Sequence, residues 1–95
     1  MAINRLMKPD FRKAASWQNA SPIPGYDPAL WRMDCDGRVI KWSDYGIKSD
    51  HGWEIDHIVP VALGGGDDVS NLRARHWMGN SSAGGTLSNM LRRGN

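Results

Sequence analysis

The chain has 95 residues, a length that suits one small domain and excludes a second hydrophobic core. Hydrophobic residues make up 40% of the chain and five residues are tryptophans, so we expect a modest core that depends on a few large aromatic contacts or on a bound metal. The single cysteine, Cys35, excludes an internal disulfide and a four-thiolate zinc site, which leaves Asp, Asn, Glu and His as candidate metal ligands.

Charge is distributed unevenly along the chain. The formal net charge is +2 and the isoelectric point is about 9.0, values that permit nucleic-acid binding without requiring it. Basic residues collect towards the two ends and acidic residues in the middle: Arg5, Lys8, Arg12, Lys13, Arg73, Arg75, Arg92 and Arg93, against Asp34, Asp36, Asp44, Asp50, Glu54, Asp56, Asp67 and Asp68. A basic rim around an acidic, metal-capable centre is the distribution that a phosphodiester substrate requires.

Neither membrane insertion nor export is indicated. No apolar stretch approaches the ~20 residues that a helix needs to span a bilayer. The N-terminal stretch MAINRLMKPDFRK lacks the uninterrupted apolar segment of a signal peptide. We therefore predict a cytoplasmic protein with no membrane partner.

The first half of the chain predicts a short helix, a connector and a hairpin. The helix is expected over residues 10–18, because the following NASPIPGYDP carries prolines and a glycine that neither a helix interior nor a central strand accommodates. Asp36-Gly37 then separates two short strand-like runs, and Asp-Gly in that context is a strong hairpin signal. We expect residues 30–33 to pair with residues 39–42.

The second half predicts a strand, a glycine-rich loop, a returning strand and two short helices. Residues 53–61 predict an edge strand, since Pro60 is not tolerated in a central one. ALGGGDDVSN has the composition of a mobile loop, and LRAR is short enough to return as a strand. HWMGNSSA then predicts two helical turns, and TLSNMLRRG a docking helix with apolar residues at i, i+3 and i+4.

Four polar features follow one another in this second half: Asp56-His57, Asn71, His76 and Asn80. Adjacent side chains of a strand point to opposite faces, so Asp56 and His57 reach one cleft only at a strand end or where the strand twists strongly. His76 and Asn80 are four residues apart and share a face if HWMGN is helical. We therefore expect a strand, a loop and a helix to converge on one point.

The run WEIDHIVPVALGGGDDVSNL, followed by RHWMGN, resembles the HNH endonuclease family. That family places an Asp-His pair at the end of a strand, an Asn in SNL or DNL, and a His or Asn on a helix nine residues later, which is the separation of Asn71 and Asn80. The resemblance covers residues 53–83 and is to bacterial and phage members without a zinc knuckle. It implies an α+β fold: a single domain over residues 1–95 with a ββα-metal (His-Me finger) core, an N-terminal β-hairpin, short flanking helices and an extension at residues 1–25.

The resemblance also implies a metal-dependent endonuclease that hydrolyses DNA, most simply double-stranded DNA. Asp56 and Asn80 would ligate one divalent metal ion, with Mg²⁺ or Mn²⁺ favoured and Zn²⁺ or Ni²⁺ as alternatives. His76 would be a third ligand or a phosphate contact. His57 would be the general base, and Asn71 would fix the ring of His57 through its side chain or the backbone nearby.

The family's lysine at the helix end is replaced here by Ala83, so either arginines supply the charge for the substrate phosphates or activity is weaker than in relatives. The candidates for nucleic-acid binding are Arg73, Arg75, Arg92 and Arg93.

The same residues also have interpretations that involve no catalytic site. Glu54 is expected to be an exposed strand residue, and Asp67 and Asp68 are expected to cap the turn in solvent. For the whole chain, the alternatives to an endonuclease are an HNH-like module that binds nucleic acid with little or no cleavage, and a structural module that holds zinc through Asp56, His57 and His76. Oligomeric state and sequence specificity are not predicted.

Overall fold

The structure, a computed structural model, describes residues 11–81. Its first element is helix α1, Phe11–Gln18, close to the helix predicted over residues 10–18. The helix turns Ser16 and Trp17 inwards, and Trp17 is 2% exposed. The indole N–H of Trp17 donates to the carbonyl oxygen of Pro28 at 2.9 Å, so the turn-rich connector is fastened back onto the helix.

Three short antiparallel strands form the first sheet: β1 (Ser21–Pro22), β2 (Trp31–Met33) and β3 (Val39–Lys41), in that spatial order. The predicted hairpin is confirmed, with slightly shorter strands. Its turn is closed by Asp34, whose Oδ1 accepts from the backbone N–H groups of Asp36 and Arg38 at 2.9 and 2.8 Å. Strand β1 was not predicted; it includes Pro22, which an edge position tolerates.

The second sheet is a hairpin of β4 (Trp53–His57) and β5 (Leu72–His76). The prediction of a strand reaching residue 61 was wrong at its far end, because β4 ends at His57 and Val61–Leu63 forms a 3₁₀ turn. The chain leaves the ladder after Ile58, whose N–H donates to the carbonyl oxygen of Asn71 at 2.8 Å. A helix follows β5 directly and occupies residues 77–81 of the described chain.

The core lies where α1 and the two sheets meet. Trp53 is completely buried, and its ring lies 5.2 Å from that of Trp17 and 5.8 Å from that of Trp42, measured between centroids. Ala20, Ile40 and Ala74 complete the buried cluster. The fold class is therefore α+β, as predicted, with two antiparallel sheets held around a small tryptophan-rich core.

Some predicted features lie outside the described residues. These include the docking helix in TLSNMLRRG, the first ten residues of the N-terminal extension, and Arg92 and Arg93. The assignment of residues 1–95 to a single domain stays a prediction. Within residues 11–81, no helix has the length and apolar character needed to cross a bilayer. The cytoplasmic location also stays a prediction.

The contact between Trp53 and the first sheet yields a stability prediction. The indole Nε1–H of Trp53 donates to the carbonyl oxygen of Lys41 at 2.9 Å. Trp53→Phe keeps most of the apolar ring but removes this donor, so we expect the free energy of unfolding to fall by roughly 1–3 kcal/mol in chemical denaturation followed by circular dichroism. Trp31→Phe, at a half-buried position, is the matched control. Equal losses in the two variants would contradict the role assigned to Trp53.

Candidate functional site

The predicted Asp-His pair lies at the end of β4, where its two side chains leave on opposite faces of the hairpin. The register pairs Asp56 with Arg73 and pairs His57 with the buried Leu72. Both side chains are largely covered, with 15% of Asp56 and 23% of His57 exposed. Strand geometry therefore separates the two, and any shared site has to be completed by other elements.

A cleft of about 410 Å³ brings His57 and Asn80 together. One wall is β4, which contributes Glu54 and Ile55 beside His57. Asn80 reaches the cleft from the helix after β5, and its Nδ2 donates to Oε1 of Glu54 at 3.0 Å. Because the amide nitrogen is engaged there, the amide oxygen of Asn80 is the end left for other partners. Glu54, expected from the sequence to be an exposed strand residue, is half-buried and orients this amide.

Two arginines neutralise the Asp56 carboxylate. Its Oδ2 lies 2.8 Å from Nε of Arg73 and 3.7 Å from Nη1 of Arg75. Arg75 also binds Asp36, through Nη2 at 2.9 Å. Burial alone would lower the pKa of Arg75, but the hydrogen bond to Asp36 and the nearby charges of Cys35, Asp36 and Asp56 outweigh it and raise that pKa. Arg73 and Arg75, predicted to bind nucleic acid, thus lie beside the candidate metal ligand.

Asn71 holds the backbone of the loop between β4 and β5. Its Oδ1 accepts from the N–H of Val59 at 2.8 Å, and its Nδ2 donates to the carbonyl oxygens of Val59 at 3.1 Å and Gly66 at 2.8 Å. The loop also approaches itself so closely at Gly65 that a Cβ there would lie 1.7 Å from the carbonyl oxygen of Val59. The composition predicts a mobile loop; in the structure, hydrogen bonds from Asn71 hold this loop at Val59 and Gly66. The Asn71 side chain contacts the loop rather than the ring of His57.

Asp67 is the site residue that sequence reasoning missed. It lies on this pinned loop, and its Oδ1 is 2.7 Å from Nε2 of His57, while its Oδ2 is 3.7 Å from Nη1 of Arg12 on α1. The hydrogen bond from His57 is the main cause of a lowered pKa at Asp67, helped by the charges of Arg12 and His57 and opposed by desolvation. The sequence offered one signal for this contact. Asp67 lies in the loop that joins two strands predicted to be neighbours, and the structure pairs His57 with Leu72 at the ends of that loop.

His76 occupies a different environment from the one predicted. It is the last residue of β5 and not the first turn of the helix, so it follows strand alternation and faces the core beside Trp53. The side chain is 3% exposed. Its Nε2 lies 2.8 Å from the carbonyl oxygen of Asp50, and its Nδ1 lies 3.2 Å from the backbone nitrogen of Met78. The expected role as a third metal ligand is therefore unsupported: Asp56 lies on the opposite face, and both ring nitrogens are engaged.

The metal-ligand chemistry in the described residues is sparse. Within residues 11–81, no three His, Cys, Asp or Glu side chains come close enough to hold a metal ion together. The predicted ligands Asp56 and Asn80 are both oxygen donors, a type that suits a hard divalent cation whose remaining positions are filled by water and substrate. Two such donors fit that kind of cation better than they fit a structural zinc.

Comparison with known proteins assigns this part of the chain. The model of the HNH endonuclease family matches residues 39–84, from β3 through the β4–β5 hairpin and into the helix that follows. No curated protein and no solved structure matched the chain. The segment has the hairpin-then-helix order of the ββα core, so the family resemblance is confirmed. Residues 39–84 belong to the HNH endonuclease family.

The contact between His57 and Asp67 predicts a titration result. In a ¹³C NMR titration of the side-chain carboxyl carbons, we expect the pKa of Asp67 to lie below the ordinary value of 3.8. His57→Ala removes the main cause, so the pKa of Asp67 should rise towards that value. A carboxyl group whose pKa is lower in the folded state contributes to stability at pH values above its ordinary pKa. This contribution is lost as the pH falls through the pKa of the folded state. An Asp67 pKa unaffected by His57→Ala would contradict the contact.

Proposed function

We propose that this HNH domain is a metal-dependent endonuclease that hydrolyses phosphodiester bonds in DNA, with His57 as the general base. The observation that carries this proposal is the cleft shared by His57 and Asn80, inside the segment that matches the HNH endonuclease family. Histidine changes protonation state near neutral pH, which makes it suited to taking a proton from water.

The reaction assigned to the cleft is hydrolysis by a water molecule. His57 takes a proton from the water, the water oxygen forms a bond to phosphorus, and the bond from phosphorus to the leaving 3′ oxygen breaks. Solvent returns a proton to the leaving oxygen. The largely buried ring of His57, with one nitrogen already held by Asp67, supports this role because a base has to be oriented before it acts.

Asp56 and Asn80 are the residues we assign to the divalent metal, with Mg²⁺ or Mn²⁺ as the first choices. Both arginine contacts of Asp56 are made by Oδ2, which leaves Oδ1 as the oxygen we assign to the cation. The hydrogen bond from Asn80 to Glu54 likewise engages the amide nitrogen and leaves the oxygen. When bound, the cation supplies positive charge that stabilises the phosphate and the leaving oxygen.

Arg73 and Arg75 are proposed to contact the phosphate backbone of double-stranded DNA, with Arg92 and Arg93 outside the described residues as further candidates. Arg73 is the better placed of the first two, because its side chain is 26% exposed and that of Arg75 is 14% exposed. Guanidinium groups bind phosphate oxygens in a fixed fork geometry, which supports their use here in place of a lysine.

A second function is favoured by the charge around Asp56. Two guanidinium groups already neutralise this carboxylate, at 2.8 and 3.7 Å from its Oδ2. A domain that kept these ion pairs would bind DNA without taking up a metal, and would therefore not cleave it. The third interpretation, a structural zinc held by Asp56, His57 and His76, loses support because His76 is 3% exposed and both of its ring nitrogens already have hydrogen-bond partners.

A plasmid-nicking assay over a series of divalent metals tests the first function. We expect Mg²⁺- or Mn²⁺-dependent nicking by the wild type and a loss of about 10²- to 10⁴-fold in rate for His57→Ala, the usual contribution of a general base. Asn80→Ala should require a higher metal concentration for half-maximal rate. His51→Ala, at a half-buried position next to Trp31, is the matched control and should cleave like the wild type.

Circular dichroism should first establish that each variant is folded. Cleavage at the wild-type rate by His57→Ala would overturn the assignment of the base. A mobility shift of intact plasmid by the wild type, without nicking in Mg²⁺, Mn²⁺, Zn²⁺ or Ni²⁺, would instead support the DNA-binding module.

A further inference from the structure

We infer that Asp67 is a positioning residue for His57: its carboxylate fixes the ring orientation and the tautomer, so that Nδ1 is the nitrogen that takes the proton from water. This inference rests on the proposed function for its consequence in catalysis. The pairing itself can be tested without any activity.

The contact has the geometry of a charge-assisted hydrogen bond. The 2.7 Å between Nε2 of His57 and Oδ1 of Asp67 lies at the short end of the range, about 2.7–2.9 Å, that such bonds show. An aspartate is ionised at neutral pH even at its ordinary pKa, and an ionised carboxylate can only accept a hydrogen bond. Nε2 must therefore carry the hydrogen. In the neutral ring the lone pair is then on Nδ1.

The loop delivers Asp67 to this position through backbone contacts. Asn71 holds the carbonyl oxygen of Gly66, the residue immediately before Asp67. The close approach of Gly65 to Val59 folds the loop back on the end of β4. The Asn of the motif thus acts on His57 indirectly, by placing the residue that holds its ring.

Helix α1 supports the same carboxylate from the other side. Nη1 of Arg12 lies 3.7 Å from Oδ2 of Asp67, so one oxygen of the carboxylate faces the arginine and the other faces the histidine. Arg12 and His57 also line the same cleft. Three elements, β4, the loop and α1, therefore meet at this one side chain.

A purely structural role explains the contact poorly. The side chain of Asp67 is 61% exposed, and ion pairs in such positions contribute little to stability because water screens them. Substitution of Asp67 should therefore leave the fold intact while changing the histidine. Asp68, one residue further along the same loop and also exposed, offers the same loss of charge as a control.

The direct test is ¹⁵N NMR of the histidine rings in the full chain at neutral pH. We expect His57 to be in the Nε2–H tautomer in the wild type, in Asp68→Ala and in Asp67→Glu, which restores a carboxylate. Asp67→Ala should give the averaged ¹⁵N shifts of a ring exchanging between tautomers. A His57 ring that keeps the Nε2–H tautomer in Asp67→Ala would overturn the inference.

The kinetic arm uses plasmid nicking under the same conditions. We expect kcat to fall about 10- to 100-fold in Asp67→Ala, a range typical for loss of a residue that orients a functional side chain, with KM changed less than about two-fold. Asp67→Glu should recover part of the loss, and Asp68→Ala should match the wild type. Wild-type kcat in Asp67→Ala would overturn the positioning role.

The two arms separate this inference from the proposed function. If the wild type does not cleave DNA, the proposed function fails and the NMR comparison alone decides the pairing. Loss of the fixed tautomer in Asp67→Ala would then still support Asp67 as the residue that orients His57, and its retention would overturn that role.

Discussion

The arrangement of the described residues depends on the packing of the buried Trp53 indole against its neighbours. Trp53 lies on β4, it packs against Trp17 of α1 and Trp42, and it donates a hydrogen bond to the backbone of β3 at Lys41. A hairpin of two short strands is only marginally stable on its own, so β4 and β5 need other elements to pack against. Trp53 therefore joins the hairpin that carries Asp56 and His57 to both α1 and the first sheet. These contacts fix the position of the hairpin relative to the other two.

The conformation of the loop after β4 depends on contacts made by Asn71 and Gly65. Its composition is that of a flexible turn, yet Asn71 binds it at Val59 and Gly66 and the glycine at position 65 allows the backbone to fold against itself. These contacts place Asp67 beside His57. Because they already restrict the loop backbone, holding Asp67 there costs little further conformational entropy. The glycines are therefore needed for close approach at least as much as for flexibility.

Local chemistry made much of this fold predictable. The β2–β3 hairpin follows from Asp36-Gly37, β4 from an apolar run, and β5 from a short segment, LRAR, that returns after the polar loop. Strand β1 was missed because a segment containing Pro22 is a strand only through pairing with residues ten or more positions away. His76 was misplaced by one residue: a helix beginning there would have turned it towards Asn80, but as the end of β5 it faces the core. Asp67 was missed because its partner is chosen by the closure of the loop.

The ion pairs from Asp36 through Arg75 to Asp56 link the turn of the first hairpin to the candidate metal ligand on the second. Arg75 lies 2.9 Å from Asp36 and 3.7 Å from Asp56, so its stronger partner is the aspartate in the turn of the first hairpin. Under the proposed function, a cation at Asp56 would leave Arg75 with Asp36 as its counterion, whereas Arg73, 2.8 Å from the same carboxylate, would lose that partner. Asp36, in the turn of the first hairpin, would therefore offset only the part of the electrostatic penalty that falls on Arg75.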